Sequence, residues 1–381
     1  MKKSPLKIAL VHDYLNEFGG AERVLLALSK LYPDAPIYTA FYRAGSPAWE
    51  RFKHKDVRTS WAQRVPFFAS KLHSPLRFLA PQIWNSFDFS GYDVIIGSAS
   101  WYITKGFAKK DQAKEICYCH TPPRWLYGYP TSIEWQKWWP IRVYGQLIGH
   151  FMRLYDFNAA QRVDQFVANS RNVARRIEKF YRRDSQVIYP PVDEFILADD
   201  WDKTKKRDDY FLIISRIVGG KGLDLAVKAA VKLGLNLKIA GKPAGYSTEY
   251  QELLDLASGG QIEFLGFVPD EELVGLYAHA RGFLALASDE DFGITPVEAM
   301  MAGTPVVAFN GGGYRESVVD GQTGVLFDDL SETGLIEAIG RFDQIKFDPQ
   351  KIRQHAQKFS KQRFMREIDE LVKKCALHPS H

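Results

Sequence analysis

Cysteine is scarce. The 381 residues hold three, Cys117, Cys119 and Cys375, which is too few for a disulfide framework and fits a reducing compartment. Long apolar runs are missing too: nothing approaches the roughly 20 residues needed to span a bilayer, and the short run at 8–11 stops at His12 and Asp13, far from a secretory leader. The expected location is therefore cytoplasmic, with any membrane contact peripheral. No Gly-x-Gly-x-x-Gly is present, which argues against a classical dinucleotide site, and no Gly-x4-Gly-Lys-Ser/Thr loop exists. Cys117-Tyr118-Cys119-His120 has no second Cys/His pair to complete a zinc site. Alternation on a strand puts both cysteines on one face, so a packing role is expected and no metal is assigned. Nor is there an RNA-binding motif of recognisable spacing.

The residues that are present describe a globular chain rather than a disordered or fibrous one, 46% hydrophobic and 25% charged. Its length exceeds what one core usually organises, so two domains are expected. The net charge of +5 suits phosphate ligands, nucleic acid or anionic lipid without choosing among them. Strands are predicted over 7–13, 92–98, 115–120 and 164–170, with a helix after Ala21 where Val24, Leu25, Leu28 and Leu31 recur at helical spacing. Past the extended Val187-Ile188-Tyr189-Pro190-Pro191 and a charge-crowded 199–209, the rhythm restarts: strands at 211–217, 235–240, 262–268, 282–287 and 305–309, helices at 223–233, 249–257, 270–280 and 296–302. This is an α/β chain of two doubly wound, Rossmann-like domains, 1–190 and 191–360, followed by a C-terminal helix over 361–381. An interdomain cleft is the default ligand site for that architecture.

Four stretches carry chemistry. Gly19-Gly20-Ala21-Glu22 sits where the first strand meets the first helix and suits a phosphate approaching backbone N–H groups; an ordinary tight turn is the alternative. Ser215-Arg216 through Lys221-Gly222 places a planar cationic fork and a mobile ammonium at a strand end, a pairing suited to a diphosphate, against the plainer reading of a solvated loop. In the stretch 288–300, Thr295 reads as an N-cap with Pro296 at the first helical position and Glu298 completing a capping box. The N–H groups of Phe292, Gly293 and Ile294 would then form an anion site beside Asp289, Glu290 and Asp291, carboxylates suited to hydroxyls or, alternatively, to solvent or Mg²⁺. A ligand with both phosphate and polyol fits that mixture. His120, in His120-Thr121-Pro122-Pro123-Arg124, ends a strand of the first domain; a lone histidine is more often structural than catalytic.

Glu290 and Glu298 in a Glu-x7-Glu spacing, with Phe292-Gly293-Ile294, Glu298-Ala299-Met300 and Gly303-Thr304-Pro305-Val306-Val307, resemble the signature of the retaining glycosyltransferase family 4, which includes bacterial phosphatidylinositol and O-antigen mannosyltransferases. Ser215-Arg216, Asn169-Ser170 and Gly312-Gly313-Tyr314-Arg315-Glu316 are similar to its other landmarks. The resemblance implies a GT-B fold, the C-terminal helix crossing back to the first domain, and transfer with retained anomeric configuration, without metal or cofactor. It implies that Arg216 and Lys221 hold the donor diphosphate, Glu290 the sugar hydroxyls and Glu298 the ribose, that His120 lines the sugar, and that the backbone at Val268 meets the base. It also implies GDP-mannose as donor and a glycolipid or lipid-linked oligosaccharide as acceptor in bacterial cell-surface polysaccharide synthesis. Many family members carry glycine where Asp291 stands. A UDP-sugar transferase, a GT-B sugar-nucleotide epimerase and a non-catalytic binder are the competing readings.

Between residues 58 and 84 there is no acidic residue, while Trp61, Arg64, Phe67, Phe68, Lys71, Arg77, Phe78 and Trp84 mix aromatic and basic character; Trp135-Gln136-Lys137-Trp138-Trp139 repeats it. Such a mixture suits the headgroup boundary of an anionic membrane, with packing inside the domain as the alternative.

Overall fold

The computed structural model describes residues 6–109, 113–129, 131, 139–192, 207–243 and 247–377. Trp135, Gln136, Lys137 and Trp138, and most of the charge-crowded stretch at 199–209, lie outside the described residues. The chain divides into two compact units: one runs from the N-terminus to Pro191 and takes in the C-terminal segment from Gln362, the other runs from Val192 to Lys361.

The first unit contains strands β1 (Ile8–His12), β2 (Ile37–Thr39), β3 (Val57–Thr59), β4 (Val94–Ala99), β5 (Lys114–Cys119), β6 (Gln165–Ala168) and β7 (Ser185–Val187). Its helices are α1 (Gly20–Leu31), α2 (Pro47–Phe52), α3 (Ala80–Trp84), α4 (Trp139–Arg162) and α5 (Arg171–Tyr181). The seven strands form one parallel sheet in the order β3-β2-β1-β4-β5-β6-β7. β1 and β4 are buried at every position, as expected of parallel strands covered on both faces. That is why they read as near-continuous apolar runs rather than as alternation. Cys117 and Cys119 are buried free thiols packed with Ala99 and Phe166.

The second unit contains β8 (Phe211–Ile214), β9 (Leu237–Ala240), β10 (Ile262–Gly266), β11 (Gly282–Ala285), β12 (Val306–Phe309) and β13 (Gly324–Phe327). Helices α6 (Leu223–Leu233), α7 (Ser247–Leu256), α8 (Asp270–His279), α9 (Ile294–Met301), α10 (Tyr314–Ser317), α11 (Glu332–Gln344) and α12 (Pro349–Ala356) intervene or follow. The parallel order is β10-β9-β8-β11-β12-β13. In both sheets the winding reverses beside the first strand, between β1 and β4 and between β8 and β11. Open α/β sheets bind ligands outside the carboxyl ends of strands at that reversal.

The last helix, α13 (Lys361–Leu377), is amphipathic. Its buried Phe364, Ile368, Leu371 and Val372 join Leu10, Val94 and Tyr118 in the core of the first unit, so the end of the chain completes the domain its beginning starts.

Candidate functional site

In the second unit the ends of β8 and β11 bring opposite charges together. Lys221 Nζ donates to Glu290 Oε2 at 2.7 Å, and both side chains keep part of their surface in solvent. The loops carrying them touch because Gly222, at φ +69°, has no Cβ; one built there would lie 2.6 Å from the Leu286 carbonyl oxygen. Arg216, on the same loop, is exposed.

Glu290 is held from behind by the glycines after β12. Gly313 N donates to Glu290 O at 2.9 Å. A Cβ on Gly312, at φ +52°, would sit 2.2 Å from that carbonyl oxygen, and one on Gly313 would sit 2.3 Å from the Phe292 Cα. Tyr314 OH lies 3.5 Å from Glu290 Oε2, and burial together with that carboxylate pushes its phenol well above its usual range. Phe292 is buried with its ring against Phe359.

The structure corrects the expected start of α9. The helix begins at Ile294 with Gly293 as N-cap, at φ +86°, and no side chain caps it; Thr295 therefore lies inside the first turn. Glu298 completes no capping box. It is 2% exposed, and its Oε2 accepts a hydrogen bond from Tyr277 OH at 2.6 Å. The physical reason is that glycine alone tolerates this left-handed cap against Tyr314, where a Cβ would approach to 2.5 Å. Val268 lines a 530 Å³ cavity with Tyr210, Lys238, Phe267, Glu272 and His279, and Lys242 Nζ stands 4.8 Å from the Phe267 ring. Among the described residues no three His, Cys, Asp or Glu side chains stand together to hold a metal.

In the first unit, His120 follows β5 and is 8% exposed. Its Nε2 is 2.9 Å from Ser98 Oγ, which is 3.0 Å from His12 Nδ1; His12 Nε2 is 3.4 Å from Glu22 Oε1. Burial, and then His12, push His120 down to about 3, so the ring is neutral near pH 7. The register explains the meeting, since His12 of β1 pairs with Ser98 of β4 and Ala99 leads into the His120 N–H. His12 and Ser98 were not singled out from sequence: 86 residues separate them, and only sheet order makes them neighbours. Gly19 caps α1, but its N–H donates to Glu22 Oε2 at 2.8 Å, so an anion reaching Gly19 would have to displace that carboxylate. Gly20 is the first residue of the helix.

The aromatic and basic stretch divides. Phe68 and Trp84 are core residues, because the segment folds back on itself and closes the aromatic cluster around Phe41. Arg77 lies within 5.0 Å of the Trp101 ring and 4.8 Å of the Trp125 ring, and Phe78 packs beside the same core. Trp61, Arg64, Phe67 and Lys71 stay exposed.

Two family descriptions match, and between them they span nearly the whole chain: Glycosyltransferase Family 4 over residues 18–194 and Glycosyl transferases group 1 over residues 198–363. The chain belongs to this glycosyltransferase family. Its two parallel Rossmann-like sheets are those of the GT-B fold. Among relatives, the alpha-1,3/1,6-mannosyltransferase ALG2 of Rhizomucor pusillus is 24% identical, covering 96% of this chain and 90% of that protein. ALG2 of Dictyostelium discoideum is 30% identical over 62% of this chain and 64% of that protein. The D-inositol 3-phosphate glycosyltransferase of Nocardia farcinica is 29% identical over 46% of this chain and 44% of its own length. Of solved structures, Anabaena HepE in complex with UDP and glucose superposes with a TM-score of 0.69 at 21% identity, covering 97% of this chain and all of that one. The sucrose-phosphate synthase of Thermosynechococcus elongatus gives 0.70 at 18% identity, covering 97% and 99%. No helix among the described residues is long and apolar enough to cross a membrane.

Proposed function

We propose that this glycosyltransferase moves mannose from GDP-mannose, with retention of anomeric configuration, onto a glycolipid or lipid-linked oligosaccharide at the cytoplasmic face of a membrane, in bacterial cell-surface polysaccharide synthesis. The observation that carries the reading is the Lys221–Glu290 pair at the sheet reversal between β8 and β11. A nucleotide sugar needs a cation for its diphosphate and an acceptor for its hydroxyls a few ångströms apart, and this pair supplies both. On binding, Lys221 turns to the diphosphate with Arg216, and Glu290 accepts from the sugar. Glu298, oriented by Tyr277, takes the ribose hydroxyls, and the backbone near Val268 meets the base. The N–H groups of α9 that no side chain caps face the same charge from Gly293 onward.

As the glycosidic bond breaks, negative charge grows on the departing diphosphate, and fixed cations and helix N–H groups stabilise that charge more than the ground state. Front-face attack by the acceptor then needs neither a protein nucleophile nor a divalent metal. Mannose is favoured over other hexoses by the likeness to the ALG2 mannosyltransferases.

A membrane-bound acceptor is supported by one surface of the first unit. On α4 the side chains of Trp139, Val143, Leu147, Phe151 and Leu154 are exposed and fall on one helical stripe. Leu147 is 62% exposed and Phe67, on the preceding basic stretch, 70%. Tyr144 OH donates to Pro75 O, tying the helix to that stretch. Lys71, Arg64, Arg142 and Arg153 are exposed, whereas the single acid of α4, Asp156, is buried. Apolar side chains ringed by cations without acids suit an anionic lipid surface.

The test of the donor is a thermal-shift panel of GDP-, UDP- and ADP-sugars, because a ligand at about 100 times its Kd stabilises by about 2.7 kcal/mol. GDP-mannose is expected to raise the melting temperature most. Selective stabilisation by a UDP-hexose would replace the donor, and conversion of donor without acceptor would indicate an epimerase.

A further inference from the structure

Arg77 carries its charge into an aromatic setting that holds no acid to neutralise it. The guanidinium lies 5.0 Å from the centre of the Trp101 ring and 4.8 Å from that of Trp125. Its Nε donates to Ser74 O at 2.6 Å and its Nη2 to the Ser74 hydroxyl. A guanidinium has five N–H donors, so both of those on Nη1 and one on Nη2 make no hydrogen bond to a described residue. The titratable groups that act on it are the phenols of Tyr102, Tyr14 and Tyr144 and the imidazole of His73, which burial pushes below its usual range. No carboxylate is among them, and the stretch 58–84 contains no acidic residue. Burial also lowers the Arg77 guanidinium from its usual range, yet arginine keeps its proton. Two indole rings recover part of the lost hydration. An anion would recover more, because a desolvated charge is costly without a counter-charge.

The surroundings are fixed by backbone. Asp13, just past β1, accepts from the N–H groups of Trp101 and Tyr102 and from the Thr104 hydroxyl, and Trp125 Nε1 donates to Trp101 O at 3.2 Å. Between Tyr102 and Thr104, Ile103 is buried with φ at +56°. A β-branched residue adopts that left-handed backbone only under constraint, and such strain gathers at ligand clamps. Trp101 follows β4 and Trp125 follows β5, so Arg77 stands at the carboxyl ends of strands beside the reversal of the first sheet, where this architecture takes its ligands. The apolar stripe of α4 adjoins it, joined by the hydrogen bond from Tyr144 OH to Pro75 O.

We propose that Arg77, clamped by Trp101, Trp125 and Ser74, binds a phosphate of the acceptor within the first unit, with the lipid chain of that acceptor running onto α4. The lipid source of the phosphate rests on the functional reading above; the anion site does not. A phosphate offers several acceptor oxygens to the planar fork, whereas a sugar hydroxyl leaves the charge uncompensated.

The test uses the full-length chain carrying Arg216→Ala and Lys221→Ala, which removes the diphosphate contacts proposed in the second unit. Inorganic pyrophosphate and farnesyl diphosphate are titrated into it by calorimetry. Both are expected to bind, and adding Arg77→Gln is expected to weaken both by about tenfold to a hundredfold, the worth of a charged hydrogen-bonded contact. Farnesyl diphosphate is expected to bind at least about tenfold more tightly than pyrophosphate, through its apolar chain. Equal affinities would keep the anion site and overturn its lipid source in favour of a soluble phosphate. Absence of pyrophosphate binding, which needs no substitution at Arg77 to observe, overturns the site, as do affinities that Arg77→Gln leaves unchanged. If Arg77→Gln does not fold, Arg77→Lys keeps the charge without the fork and is expected to weaken pyrophosphate by at least about threefold; unchanged affinity there overturns the site equally. In transfer assays on the otherwise unsubstituted enzyme, Arg77→Gln is expected to raise KM for a polyprenyl-diphosphate-linked saccharide about tenfold or more and to leave KM for the donor unchanged, a split that a packing role alone would not produce. Pyrophosphate binding that depends on Arg77, without hexose transfer to any lipid-linked acceptor, leaves the site standing and overturns the functional reading.

Discussion

Replacing Gly312 with alanine probes the backing of Glu290 without touching a charged group. A Cβ at this position would lie 2.2 Å from Glu290 O and 2.9 Å from Glu290 N, and φ is +52°. Both obstacles are backbone, so no flexible side chain can swing aside. A left-handed conformation costs a non-glycine residue about 1–2 kcal/mol, overpacking typically costs about 1–3 kcal/mol, and the stiffer unfolded chain returns about 0.4–1 kcal/mol. The net is a destabilisation of about 1–5 kcal/mol. At roughly 2–4 °C per kcal/mol for a domain of this size, the melting temperature should fall by about 2–18 °C. The control is Gly321→Ala, where φ is +72° but nothing lies within 4 Å; only the conformational cost remains, about 1 kcal/mol or less after the same offset. Relief of the clash moves Glu290 by about 1 Å, and misplacement on that scale can lower a rate about 10²-fold. The assays are a thermal melt and steady-state transfer kinetics on both variants. If Gly312→Ala melts and turns over like Gly321→Ala, the glycines do not set the position of Glu290 and the account of that site fails.

Alanine at Arg216 or Lys221 should lower kcat by about 10²-fold or more with the fold retained, as for loss of a group facing developing charge; near-normal kinetics in both would end the diphosphate assignment. Transfer should survive EDTA, since cations and helix N–H groups neutralise the diphosphate; loss on chelation, restored by Mg²⁺ or Mn²⁺, would reverse that reading. In liposome sedimentation, binding should require anionic lipid, weaken with salt, and drop when Phe67 and Leu147 become serine or Arg64 and Lys71 are neutralised. Arg77, between two tryptophans, is not expected to contribute to it. A protein left in the supernatant with anionic vesicles at low salt would favour a soluble acceptor.

Much of the fold was legible because its central strands are buried on both faces and announce themselves as apolar runs. β1, β4, β5, β8 and β11 fall within or beside the expected stretches, and α6 matches its expected bounds. The edge strands β3, β7 and β13 escaped notice. β3 and β7 are three residues long and nowhere fully buried, so no apolar run marks them. Lys221 and Glu290 were visible as types in motifs, but not as partners 69 residues apart. The start of α9 was misread because Thr-Pro-x-Glu is a strong local capping pattern; tertiary contact with Tyr314 made the preceding glycine the cap instead. The aromatic and basic stretch could not be resolved from sequence, since Phe67 and Phe68 are adjacent and identical in type. One stands 70% exposed and the other 1%, a difference set by the left-handed turn at Phe67, where φ is +61°.

The most direct test is to supply GDP-α-mannose labelled with ¹³C at the anomeric carbon and an equal amount of UDP-glucose, together with a polyprenyl-diphosphate-linked saccharide in anionic vesicles, and to read donor consumption and the product linkage by NMR. The account requires consumption of the donor and an α-mannosidic product. A β-linked product would contradict retention, and an unchanged GDP-mannose pool beside a consumed UDP-hexose would contradict the donor.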